Sequence, residues 1–383
     1  MSPTPVTTSS PIAPATYTWE ATDEEVAARY GIAPEEIVRF DLNTAPTPPA
    51  LVARLLAAGQ FETSLSEYPP SDYRRLVVAA AARYGVGHDE ILVGAGADEI
   101  LDLIGKAFLP AGGAAVIPVP SYAMYRVVTE QRAAKAIGVP RRAAADGYAM
   151  DVRAVRAAVL EAAAQVVWLC SPNNPTGLSE PAGAIADLLA GLTSDAAAAD
   201  REPPIVVLDE AYAEFVGRSL VELRKRFSNL IVVRTASKAY ALAGLRVGFA
   251  LARPETVARL APFRPPGSVS TVSVTIVTEA LLDPTLAEQN AARVRADRDR
   301  LRGALIGLGW HVGRSVTNFV LVDFGTPERA AVVADGLLSR GLVPRTFPST
   351  HPLAGHLRLT VRNARENGRL VEAARSIQTE IPT

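Results

Sequence analysis

The chain has 383 residues, 49% of them apolar, with 39 basic against 40 acidic side chains and a formal net charge of −1. That length can bury one large core and a smaller second one, and the balanced charge excludes nucleic acid or an anionic membrane as the main partner. A single cysteine, Cys170, excludes an intramolecular disulfide framework, the four histidines lack metal-ligand spacing, and no apolar run approaches the roughly 18–20 residues of a membrane span.

The first stretch, MSPTPVTTSSPIAPAT, has neither the basic nor the apolar region of a secretory signal, so a cytoplasmic location is expected. Its Pro, Ser and Thr content predicts disorder over the first 17 residues or so of an N-terminal arm spanning 1–45. From 46 to 265, short apolar runs alternate with helical patterns. EILVGAG (90–96), AAVIPVP (114–120), QVVWLCSP (165–172), PPIVVLDEAY (203–212) and NLIVVRTAS (229–237) read as strands buried on both faces. Helices are predicted over 98–109 and 151–165, the latter with Asp151 as N-cap. The alternation gives an α/β class with a mainly parallel sheet between helices, whose ligands bind beyond the strand ends.

RPPGSVST (264–271) marks a break, and 266–383 reads as a smaller α+β domain. A long helix is predicted from Thr285, with Glu288 in capping-box spacing. Its Arg-rich part, ARVRADRDRLRGAL (292–305), reads as amphipathic, with Asp297 and Asp299 solvated and Val294, Leu301 and Leu305 inward. Strands over 315–324 and 356–362 follow, and a last helix opens at Asn363 with Glu366 three residues on.

Lysine is rare here: only Lys106, Lys135, Lys225 and Lys238 occur among the 39 basic residues. Lys238 sits between small residues just after an apolar strand, where arginine cannot substitute for an amine that loses its proton and attacks a carbonyl. The other strand ends carry partners for such chemistry: SPNNPTG (171–177), LDEAY (208–212), GAGADEI (94–100) and, beyond the lysine, Arg246. A Schiff-base lysine needs a carbonyl cofactor, and pyridoxal phosphate makes matching demands. Asp209 can pair its ring nitrogen, Asn174 and Tyr212 its phenolate oxygen, and Tyr122 can stack on the ring. Ala97 and Asp98 open a helix whose free N–H groups favour a phosphate, joined by Thr235, Ser237 and Arg246. Each motif alone has a bland reading as a turn, a cap or core; only their combination is specific.

SPNNPTG, DEAYAEF and SKAYALAGLRVGF together resemble fold-type-I pyridoxal-phosphate aminotransferases, specifically the histidinol-phosphate aminotransferase group, over roughly residues 40–375. The resemblance implies Lys238 as Schiff-base lysine and proton shuttle, and the cofactor roles just given. It implies that Tyr68, in EYPPSDYRRL, reaches the cofactor phosphate of a neighbouring subunit, hence a homodimer with shared active sites. Arg358, in HLRLTV, matches the arginine that binds the carboxylate of glutamate. Arg345 matches a second arginine at the substrate phosphate, with an exposed loop charge as its competing reading. Asn43 matches a substrate-side asparagine in altered company, DLNTAPTPP, and Arg362 and Asn363 stand where the family commonly has Gly-Thr. The expected reaction is amino transfer between histidinol phosphate and 2-oxoglutarate. Aromatic amino-acid aminotransferases and threonine-phosphate decarboxylases share the cofactor motifs and are the alternatives.

Overall fold

The computed structural model describes residues 16–380, so the disorder expected of the first 17 residues falls almost wholly outside the described residues. Twelve strands occur among these: β1 (Val38–Arg39), β2 (Ile91–Gly94), β3 (Ala114–Val119), β4 (Lys135–Pro140), β5 (Val166–Cys170), β6 (Ile205–Asp209), β7 (Leu230–Thr235), β8 (Gly248–Leu251), β9 (His311–Val312), β10 (Phe319–Asp323), β11 (Leu342–Val343) and β12 (His356–Thr360). Seven form one sheet in the order β2-β8-β7-β6-β5-β3-β4. β8 runs antiparallel to both neighbours and the other pairs are parallel.

The five apolar runs form five of these strands. β4 and β8 escape the sequence pattern for physical reasons. β4 is an edge strand with Lys135, Gly138 and Pro140 exposed. β8 is four residues long, and its Gly248 lies against the turn at Gly96, where a Cβ would stand 2.4 Å from a backbone carbon. Alternate side chains of the sheet enter two cores. Val167, Leu169, Val206 and Leu208 meet helices 74–84, 152–162, 184–198 and 271–282. Val166, Trp168, Val207 and Val233 meet helices 96–108, 124–131 and 254–260 on the other side. A third core wraps the β12-β10-β9 sheet, with Leu370, Ala374 and Ile377 of the last helix on it.

Two segments pack across the expected boundaries. Helix Thr271–Leu282 lies in the first core, while Val38 and Phe40 join the third, with β1 pairing β11 in parallel. Asp151 caps its helix as expected, accepting from the backbone N–H groups of Arg153 and Ala154. Thr285 does not cap the long helix. Asp283 Oδ1 instead accepts from the backbone of Thr285 and Leu286 and from the Thr285 hydroxyl, because a carboxylate outcompetes a hydroxyl for these donors. Asp297 is also not on the solvated face: it is buried beside Arg298 and pairs with Arg300 at 2.5 Å.

Candidate active site

Parallel pairing carries the motifs to one edge. Cys170 stands opposite Asp209, and Asp209 opposite Val233, so the loops after β5, β6 and β7 leave the sheet side by side. Gly94 and Thr235 both pair Gly248, which brings the start of helix Gly96–Phe108 to the same edge. Between this edge and β12 lies a cavity of about 520 Å³. Every expected site residue lines it except Tyr68, which is 89% exposed and lies outside it.

At one end Asp209 is buried, and burial pushes its carboxyl up to about 6. Tyr125 O–H donates to its Oδ2 (2.8 Å) and Ala211 N–H to its Oδ1 (2.9 Å). Lys238 Nζ donates to the Asn43 carbonyl at 3.2 Å and sits 5.8 Å from the Tyr212 ring centre. Burial first, then the positive charge of Arg358 and of Arg246, lowers its amine to about 8, against the opposing pull of Asp98 and Asp209. About a quarter of such an amine is neutral at pH 7.5, against roughly one in a thousand of an ordinary lysine. Tyr212 is buried, accepts from Asn43 Nδ2 at 3.0 Å, and has its phenol raised by burial.

The opposite corner suits an anion. Gly96 has φ +84°, and a Cβ there would meet Arg246 at 2.4 Å, so only glycine lets the guanidinium lie over the helix start at Ala97. Arg246 pairs with Asp98 at 3.1 Å, and Asp98 also accepts from Tyr122 O–H at 3.0 Å. Thr235 and Ser237 hydroxyls are 2.9 Å apart beneath. A buried carboxylate, an amine lowered toward neutrality, an aromatic wall and a basic helix N-terminus form the donor set that pyridoxal phosphate requires, so the residues fit the cofactor.

Beyond Lys238 two arginines line the cavity from paired backbone positions. Arg345 and Arg358 face each other in an antiparallel bridge, each backbone N–H bonded to the other's carbonyl at 3.0 Å. Their side chains therefore leave on one face of the bridge. Arg358 is buried, donates to Asn174 Oδ1 (2.5 Å) and to the Asp41 carbonyl, and its Nε has no partner among the described residues. Arg345 is not the exposed loop charge of its competing reading. Its side chain is 15% exposed, donates to the Thr18 carbonyl at 2.7 Å, lies 3.6 Å from Glu20, and covers the Tyr17 ring at 5.3 Å. Arg362 points elsewhere, to Glu366 and the Thr44 carbonyl.

Sequence reading missed Tyr17, Trp19 and Cys170, which line the cavity, and Tyr125 behind Asp209. An aromatic pair just beyond the Pro-rich start, and a tyrosine one helical turn after Tyr122, were the available signals. Cys170 is a cavity wall and no nucleophile, its thiol pushed up to about 12 by burial.

The pattern of the aminotransferase class I and II family matches residues 37–376. The histidinol-phosphate aminotransferase of Symbiobacterium thermophilum is 36% identical over 363 residues, covering 92% of this chain and 93% of that protein. That of Xanthomonas campestris is 35% identical over 318 residues, 82% and 85% of the two chains. Among solved structures, histidinol-phosphate aminotransferase from Sinorhizobium meliloti in complex with pyridoxal-5'-phosphate is similar with a TM-score of 0.84 at 25% identity, covering 95% of this chain and 96% of that one. Threonine-O-3-phosphate decarboxylase from Porphyromonas gingivalis shares the fold, with a TM-score of 0.71 at 22% identity, over 90% of this chain and 100% of that one.

Proposed function

Because this chain belongs to the class I and II aminotransferases, as a pyridoxal-phosphate-dependent enzyme of fold type I, we propose that it transfers the amino group of histidinol phosphate to 2-oxoglutarate. The observation that carries the substrate is the bridged pair Arg345 and Arg358 on one wall of the cavity. Histidinol phosphate has no carboxylate, so its phosphate needs the positive end that glutamate's carboxylate uses in the other half-reaction. Two adjacent guanidiniums suit both anions.

Bound pyridoxal phosphate supplies an electron sink for the carbon that loses its proton. The chain's own residues do the rest in this reading. Lys238 Nζ, neutral in useful amount near pH 8, would hold the cofactor through its carbonyl carbon, with the carbonyl oxygen leaving as water, and would carry the proton that is moved in the transfer. Asp209 holds the ring nitrogen protonated; Asn174 and Tyr212 hold the phenolate side; Tyr122 walls the ring. Ala97, Asp98, Thr235, Ser237 and Arg246 hold the phosphate, through backbone N–H, hydroxyl and guanidinium groups. Asn43 fixes Tyr212 and lies beside the substrate. Tyr68, exposed on its own protomer, reaches the cofactor phosphate of a second copy, which makes the enzyme a homodimer with shared sites. No helix among the described residues is long and apolar enough to cross a membrane, and a cytoplasmic location belongs to this proposal.

A panel of amine donors offered with 2-oxoglutarate tests the substrate. Histidinol phosphate is expected to give the highest kcat/KM. Phenylalanine outrunning it would move the enzyme to the aromatic aminotransferases, and release of carbon dioxide from threonine phosphate would move it to the decarboxylases.

A further inference from the structure

We propose that Tyr125 is a positioning residue of this enzyme, whose hydroxyl, from behind the cavity wall, holds the Asp209 carboxylate ionised and in one orientation. This rests on the reading of Asp209 as the partner of the cofactor ring nitrogen. Tyr125 is fully buried and does not line the cavity, so it touches no substrate. Its ring lies flat on Trp168, at 5.7 Å between centres and 2° between planes, and Tyr122 abuts it edge-on at 5.7 Å. Trp168 Nε1 donates to Thr129 Oγ1 at 3.0 Å, and Thr129 Oγ1 donates to the Tyr125 carbonyl at 2.7 Å. Ring and backbone are thus both clamped, and the hydroxyl donates to Asp209 Oδ2 at 2.8 Å, with the Cys170 thiol as its second neighbour.

Asp209 has few other supports. Ala211 N–H on its own loop is the second donor. Lys238, after β7, favours the ionised form, whereas Asp98, from the facing helix, opposes it. Tyr212 and Cys170 complete the surroundings; burial raises both, so neither is charged in the working range. Burial itself favours the neutral acid, and the Tyr125 hydrogen bond is the largest influence against it. A neutral carboxyl cannot hold the ring nitrogen protonated. The phenol, itself raised by burial and by Asp209, stays a donor throughout.

The test follows pyridoxal-phosphate binding by cofactor-free protein from pH 5 to 9, read as the dissociation constant, in wild type, Tyr125→Phe, Asp209→Asn and protein carrying 3-fluorotyrosine at position 125. Wild type should lose affinity as pH falls through the Asp209 titration. Tyr125→Phe should bind nearly normally at pH 8.5 but show its acid midpoint about one unit higher, a tenfold gain in proton affinity. The fluorinated phenol, a stronger donor of almost the same shape, should move the midpoint the other way; it decides the matter alone if Tyr125→Phe does not fold. An unmoved midpoint in both variants overturns the proposal, as does an equal loss of affinity at every pH, which is the mark of a packing role. Asp209→Asn separates the two readings. If it weakens binding while the midpoints stay put, only the role of Tyr125 fails; if it leaves binding unchanged, the Asp209 assignment fails and the proposal with it.

Discussion

Replacing Arg345 by alanine removes one of the two guanidiniums from the anion end of the cavity and leaves Arg358, on the paired backbone position, in place. A charge-assisted hydrogen bond contributes about 1.5–3 kcal/mol, which is roughly tenfold to over a hundredfold in kcat/KM. The structure argues for the upper half of that range with a phosphorylated donor. Arg345 is balanced by Glu20 at 3.6 Å, so its loss leaves that carboxylate unopposed beside an incoming dianion. Glutamate, with a single negative charge at that end and Arg358 still present, should lose less. Single-turnover kinetics of each half-reaction, with histidinol phosphate and with glutamate, give the two ratios directly. Glu20→Gln supplies the reverse perturbation: the side-chain oxygen that accepts from Thr346 N–H (2.8 Å) is kept and the charge is removed. It should improve kcat/KM for histidinol phosphate several-fold, since like-charge repulsion of about 1 kcal/mol disappears. Equal losses for both donors in Arg345→Ala, or a loss in Glu20→Gln, would refute the assignment of Arg345 to the phosphate.

Borohydride reduction of the holoenzyme should fix the cofactor on Lys238 and on none of the other three lysines, as read by peptide mass spectrometry, and Lys238→Ala should show no turnover. Tyr68→Phe should weaken cofactor retention without lowering Tm; mixing inactive Lys238→Ala and Tyr68→Ala subunits should restore part of the activity, and a fully active monomer would exclude shared sites. In cofactor-free protein the raised Asp209 carboxyl binds its proton more tightly when folded, so its contribution is complete below about pH 4 and is lost as pH rises through about 6. Asp209→Asn should therefore match wild type in urea unfolding at pH 4 and exceed it by about 2–3 kcal/mol at pH 7.5; no difference at pH 7.5 would show that Asp209 is not strained by burial.

What the sequence determined by itself was local chemistry. Five apolar runs of β-branched residues bounded by polar strand ends specify a doubly covered sheet, because only strands buried on both faces tolerate such continuity. One lysine among arginines, an acid after IVVL and a glycine turn before a helix specify which ends carry reactive groups, because those residue types have no equivalents at those tasks. Edge strand β4 and short β8 left no such trace, since half-exposed or glycine-led strands lack a continuous apolar run. Tertiary structure alone decided which groups meet. Arg345 and Arg358 become neighbours through one bridge, and Tyr17 to Glu20, at the far end of the chain, come to rest on Arg345. Asp209 accepts from Tyr125, 84 positions away, delivered by the helix Met124–Gln131 packed on the face of the sheet to which Asp209 points. Pairing register and helix packing set these distances, and neither is written in the spacing of residues along the chain.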